Sequence, residues 1–150
     1  MSVAAHQAGI RALLDDGSFG VFFDPPQSPE SLPVEAFPYV VVYLPPGLST
    51  TDVAINVPHR LDIDFRTVCV ALPDEPADGE PPADASQMTW IRDRVTRRLA
   101  MLRPVVDGRD CTHIEHIASL LPTDDSDVPG RRVLIGGDSW TFVSRVVAAA

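Results

Sequence analysis

Apolar and polar positions along this chain recur with two different periods, and each change of period marks an element. Near the start, Val3, Ile10, Leu13 and Leu14 fall on one side of a helical wheel, which predicts a helix capped by Ser2 and stopped at Gly17. Asp15 and Asp16 then stand at the end that the helix dipole disfavours, a small cost if they are solvated. Gly20-Val21-Phe22-Phe23 predicts a short strand. Asp24 to Phe37 holds four prolines and no periodicity, so it reads as a surface loop. Pro38 to Gly47, PYVVVYLPPG, is apolar without alternation and predicts a strand covered on both faces, ended by Pro45-Pro46-Gly47. Leu48 to Val57 fits either a mobile hairpin arm or a weak strand.

Strict alternation returns in HRLDIDFRTVCVAL, His59 to Leu72. Leu61, Ile63, Phe65 and Thr67 share one face, and Arg60, Asp62, Asp64 and Arg66 the other. Beyond Arg66 the polar face becomes Val68, Val70 and Leu72, so this strand should pass from a half-exposed to a covered setting. Pro73 to Asp84 is an acidic, proline-rich connector, and Asp84-Ala85-Ser86-Gln87 gives a signal close to a capping box. The helix that follows carries Met88, Ile91, Val95, Leu99 and Leu102 on one stripe and Arg92, Arg94, Arg97 and Arg98 elsewhere; Pro104 ends it. Strands are expected at Cys111 to Leu121 and Trp140 to Val147, with an acidic turn at Pro122 to Gly130 and a further short strand at Arg131 to Ile135. The order predicts an α+β fold: a single domain over residues 1–150, with two helices laid on one mixed or antiparallel sheet.

Composition narrows the classes. A chain of 150 residues, 45% apolar and 22% charged, suits one soluble core. No apolar run approaches a membrane span, and His6 and Arg11 in the first helix speak against a signal peptide. The net charge of −9 argues against phosphate-driven nucleic-acid binding. All twelve basic residues are Arg, which together with abundant Ala, Val and Pro suggests a GC-rich coding genome. Cys69 and Cys111 fall in apolar strand-like runs, where a buried free thiol in a reducing interior is expected.

Three short motifs suggest chemistry, and none is complete. Gly137-Asp138-Ser139-Trp140 resembles the nucleophile block of the GDSL esterases. In that family the serine lies near the N-terminus and a histidine follows far downstream; here the last histidine is His116, before Ser139. A glycine-rich turn entering a strand explains these residues with less. In a strand, His113 and Glu115 of His113-Ile114-Glu115-His116 face away from His116, and zinc motifs place their histidines one helical turn apart instead. Thr123-Asp124-Asp125-Ser126-Asp127 lacks the glycine and glutamate spacing of a calcium loop. No catalytic residue, metal site or cofactor is assigned. The arginines of the second helix read either as a solvated face or as an ion-pair surface for an acidic face, such as Asp62 and Asp64 or the Asp74 to Glu80 loop, on another copy.

The succession of elements resembles a known family. The opening helix SVAAHQAGIRALL, the aromatic strand VFF and PYVVVYLPPG, then HRLDIDFRTVCV, SQMTWIRDRVTRRLAMLRP and VVDGRDCTHIEH, are similar to the tail terminator proteins of long, non-contractile-tailed phages, particularly those infecting actinobacteria. The resemblance spans the whole chain and departs from the family at the proline-rich stretch Pro73 to Asp84. It implies a structural virion protein without enzymatic activity, assembled in the host cytoplasm and located at the neck of the tail. Its partners would be other copies of itself in a hexameric ring, the tail tube protein and a head-completion protein. Arg92, Arg94, Arg97, Arg98, Asp62 and Asp64 are then the candidate interface. A neighbouring neck component, head-closure or adaptor, is the alternative within this class. From other classes come a small hydrolase using Ser139, which needs a base near that serine in space, and a monomeric ligand-binding domain.

Overall fold

The computed structural model describes residues 3–24, 32–44, 60–73, 86–124 and 133–147. Helix α1, Val3–Leu14, buries Ile10 and Leu14, the residues its periodicity selects, and Gly17 follows at a φ of 81°. Strand β1, Gly20–Phe22, pairs parallel with β2, Tyr39–Tyr43. Strand β2 runs antiparallel to β3, Arg60–Ala71. Helix α2, Ser86–Leu99, precedes two strands, β4, Arg109–Cys111, and β5, Glu115–Asp124. Strand β6, Leu134–Val146, pairs with β3 along its length, and on its other edge takes β5 and β4 in succession. The result is a six-stranded mixed sheet with two helices, an α+β fold.

Both helices lie on one face. Met88, Ile91, Val95 and Leu99 of α2 join Ile10 and Leu14 of α1 over Val40, Val42, Ile63, Phe65, Cys69, Trp140 and Phe142. This places the stripe of α2 where its spacing predicts, except Leu102, which lies past the helix end and is 41% exposed. At Gly9 the helix comes so close to the 104–106 segment that an added Cβ would meet the Val105 carbonyl at 2.8 Å.

The opposite face divides into two halves. Over one half the segment 32–37, including a 3-10 turn at Val34–Ala36, packs Leu32, Ala36 and Phe37 on Tyr39, Val41, Val68, Val70 and Leu72. PYVVVYLPPG is therefore covered on both sides up to Val42, and the change of pattern after Arg66 marks the edge of this second cluster. Over the other half, Arg60, Asp62, Asp64 and Arg66 of β3 are exposed.

Several expectations need correction. Leu134 and Ile135, from the strand expected at Arg131 to Ile135, and the strand expected at Trp140 to Val147 belong to one strand, β6, while Arg131 and Arg132 lie outside the described residues; Gly137-Asp138-Ser139 is therefore not a turn but sits mid-strand, with Asp138 and Ser139 opposite Thr67 and Arg66. The strand expected from Cys111 is divided, since Thr112, His113 and Ile114 fall between β4 and β5. Strand β5 continues through Pro122 to Asp124, past the start of the expected acidic turn. Proline is tolerated there because the strand lies at an edge and shifts register between Leu120 and Thr123. The arm or strand at Leu48 to Val57, the connector from Asp74 to Asp84, the cap at Ser2 and most of the acidic turn lie outside the described residues.

Candidate functional site

The arginines of α2 have separate fates. Arg92 reaches over the sheet, and its Nη2 donates to Asp138 Oδ1 at 3.1 Å and to the Gly137 carbonyl at 3.3 Å. Arg94 and Arg98 both engage Asp16, with Arg98 Nη2 to Oδ2 at 3.1 Å and Arg94 Nε to Oδ2 at 3.5 Å. Asp16 is thus not a solvated misfit at the end of α1 but a tie between the two helices. Hydrogen bonds from the Ser18 hydroxyl and amide, then Arg98 and Arg94, hold its carboxyl down to about 2. Arg97 alone of the four points fully outward, 77% exposed, and among the described residues pairs only with Asp93 one turn earlier at 3.0 Å.

Asp138 is the centre of a buried polar cluster on the helical face. Its side chain is 4% exposed and binds Arg92, His116 and Ser119. Burial pushes its carboxyl up, but the hydrogen bonds from Arg92, Ser119 and His116 outweigh it and bring it below the ordinary value. Two sequence features make room for this knot. Gly136 has no side chain where Met88 Sδ and Arg92 Cδ pass, at 3.1 and 3.3 Å from the Cβ it would carry. The β5 register then sets His116 beside Trp140 and Ser119 beside Asp138. The ring of His116 also stacks edge-on to Trp140 at 4.8 Å.

A serine, a histidine and an aspartate in contact invite a catalytic reading, and the wiring decides against a relay. His116 Nε2 lies 3.0 Å from both Ser119 Oγ and Asp138 Oδ1, while Ser119 Oγ donates directly to Asp138 at 2.6 Å. A proton relay requires the carboxylate on the far ring nitrogen, Nδ1, leaving Nε2 to deprotonate the hydroxyl. Here the serine and the aspartate meet the same nitrogen, and the hydroxyl donates its hydrogen bond to the carboxylate. The arrangement fastens β5 and α2 to β6.

Ser139 points to the other face, where it lines a groove of about 710 Å³ with Tyr43, Leu44, Asp64, Phe65, Arg66, Ile117 and Trp140. Among the described residues no histidine lines it. The groove occupies the half of this face that the 32–37 segment does not cover, and Tyr43 (44%), Ile117 (55%) and Leu120 (68%) are exposed along it and beside it. The strand face expected to be acidic is mixed: Arg60 binds Asp62 at 2.9 Å, and Arg145 stands in register opposite Arg60.

Sequence reasoning singled out the arginines but missed the Asp138 cluster. The available signal was the Gly-Gly pair before an acidic residue inside an apolar strand, which was read as a turn. Burial raises the Cys69 thiol to about 12, so it is inert at neutral pH. Among the described residues no three His, Cys, Asp or Glu side chains converge to hold a metal, and no helix is long and apolar enough to cross a membrane. No protein-family model matches the chain, and no curated protein matches it either.

Proposed function

We propose that this chain is the tail terminator of a long, non-contractile-tailed phage, acting as a ring at the head-proximal end of the tail tube. The observation that carries the reading is the division of the sheet into two surfaces. On the helical face, the side chains capable of chemistry are spent on fastening elements, as at Asp138 and Asp16. On the open half of the other face, apolar side chains of β2 and β5 stand exposed beside charged ones of β3. Such a surface belongs to a protein whose work is contact with other proteins. The element order supports the family resemblance: a helix, a short aromatic strand, the doubly covered β2, the long alternating β3, a second helix and then β4 to β6.

The mechanism follows from symmetry. Each added ring of tube subunits presents an end like the one before, so the polymer has no intrinsic stop. A terminator binds that end with one surface and offers a different surface outward, which tube subunits cannot use and a head-completion protein can. The test is to add the purified protein to polymerising tail tube subunits. Growth should cease at substoichiometric amounts, with the added protein at one tube end. Continued growth with no protein at the ends would overturn the proposal.

A further inference from the structure

We propose that the groove on the open face receives the outward side of α2 from a second copy of this chain. In that contact Asp93 and Arg97 exchange their pairing within the helix for Arg66 and Asp64 of the neighbour. This deepens the ring reading and rests on it.

The geometry selects these residues. Trp90, Asp93 and Arg97 fall on one side of α2 at intervals of three and four residues. Trp90 is 40% exposed, held edge-on by Phe19 at 6.4 Å and covered by Arg94 at 5.0 Å, so it is a pre-positioned aromatic anchor. The other three arginines of the helix are committed to Asp138 or Asp16, which leaves Arg97 for a partner.

The receiving surface matches in both character and spacing. The groove offers Tyr43, Leu44 and Ile117 as apolar walls, with Asp64 and Arg66 at its rim. Among the described residues, Asp64 and Arg66 form no ion pair. They stand two residues apart on a strand, roughly 6.6 Å, while Asp93 and Arg97 stand four residues apart on a helix, roughly 6 Å. Both pairs run acidic then basic along the chain, so an antiparallel alignment of helix and strand places Asp93 against Arg66 and Arg97 against Asp64. Trp90 then lies just beyond Arg66, whose register neighbour on β2 is the groove residue Tyr43.

The two surfaces lie on opposite sides of the sheet. A contact between them cannot be isologous; it passes from copy to copy in one direction and closes into a ring when the rotation permits. The notion that Arg97 and Asp64 meet across copies thereby acquires an anchor, a groove and a register.

A charge-swap cycle tests it by sedimentation velocity across a concentration series, with circular dichroism to confirm folding, since every substituted side chain is exposed or partly exposed. Arg97→Asp and Asp64→Arg should each weaken association by about tenfold or more, and Trp90→Ala by a similar factor. The chain carrying both Arg97→Asp and Asp64→Arg should recover association to within about threefold of the original. If all four variants assemble like the original, the copies meet elsewhere, and this contact is wrong while the ring reading stands. A double variant no better than the singles likewise overturns the pairing. If the original chain stays monomeric throughout, the contact and the ring reading both fail.

Discussion

The two ion pairs Arg92–Asp138 and Arg60–Asp62 have nearly the same length, 3.1 and 2.9 Å, but lie on opposite faces of the sheet. The first is sealed under α2, with side chains 18% and 4% exposed; the second stands on the open face at 56% and 65%. Under α2 the carboxylate has lost water, so its partners must replace hydration completely, and removing one leaves an uncompensated charge. On the open face water remains the alternative partner, and the pair is nearly free to exchange. The helical face is thus committed to holding the subunit together, while the open face remains available to another molecule.

The largest effect expected on the helical face comes from Trp140, fully buried with its indole N–H donating to Thr67 Oγ1 at 2.9 Å. Trp140→Ala should lower unfolding free energy by about 3–5 kcal/mol in urea titration. Asp138→Asn comes next, at about 2–3 kcal/mol, because Arg92 loses its carboxylate in a half-buried setting. Gly136→Ala should cost about 1–2 kcal/mol, since the new methyl pushes Met88 and Arg92 outward and α2 with them. At the other extreme, Asp62→Ala on the open face should change stability by less than about 0.5 kcal/mol. Equal costs for Asp138→Asn and Asp62→Ala would break the comparison.

Acid sharpens the same contrast. Asp16 has a folded value of about 2 against an ordinary 3.8, so its stabilisation is present above about pH 4 and lost as the pH falls toward 2. The depressed Asp138 carboxyl acts in the same direction. Acid titration followed by circular dichroism should show this loss, and Asp16→Asn should flatten part of it at a small cost near neutral pH.

Much of this fold is legible in the sequence because local period and burial agree. The stripe of α2, the double covering of Val40 to Val42 and the change of character after Arg66 are all read from spacing alone, and each corresponds to one packed surface. The misreadings occur where a long-range contact overrides a local cue. Gly136 and Gly137 signal a turn locally, yet the approach of α2 requires a small residue within a strand. Asp16 appears misplaced against its own helix until Arg94 and Arg98 arrive from another. Gln87, near the start of α2, accepts the Leu72 amide at 2.7 Å, a tie from helix to β3 that local spacing does not reveal. The arginines stand out in sequence as one group, but only pairings across 46 and 82 residues reveal which of them are already committed.

The claim that this surface serves to end a tail is tested most directly by the length of tails made without it. Particles from a phage lacking this gene, imaged by electron microscopy, should show overlong tails of irregular length and heads left unjoined. The stop is gone while tube growth continues. Tails of normal length, attached to full heads, would contradict the account.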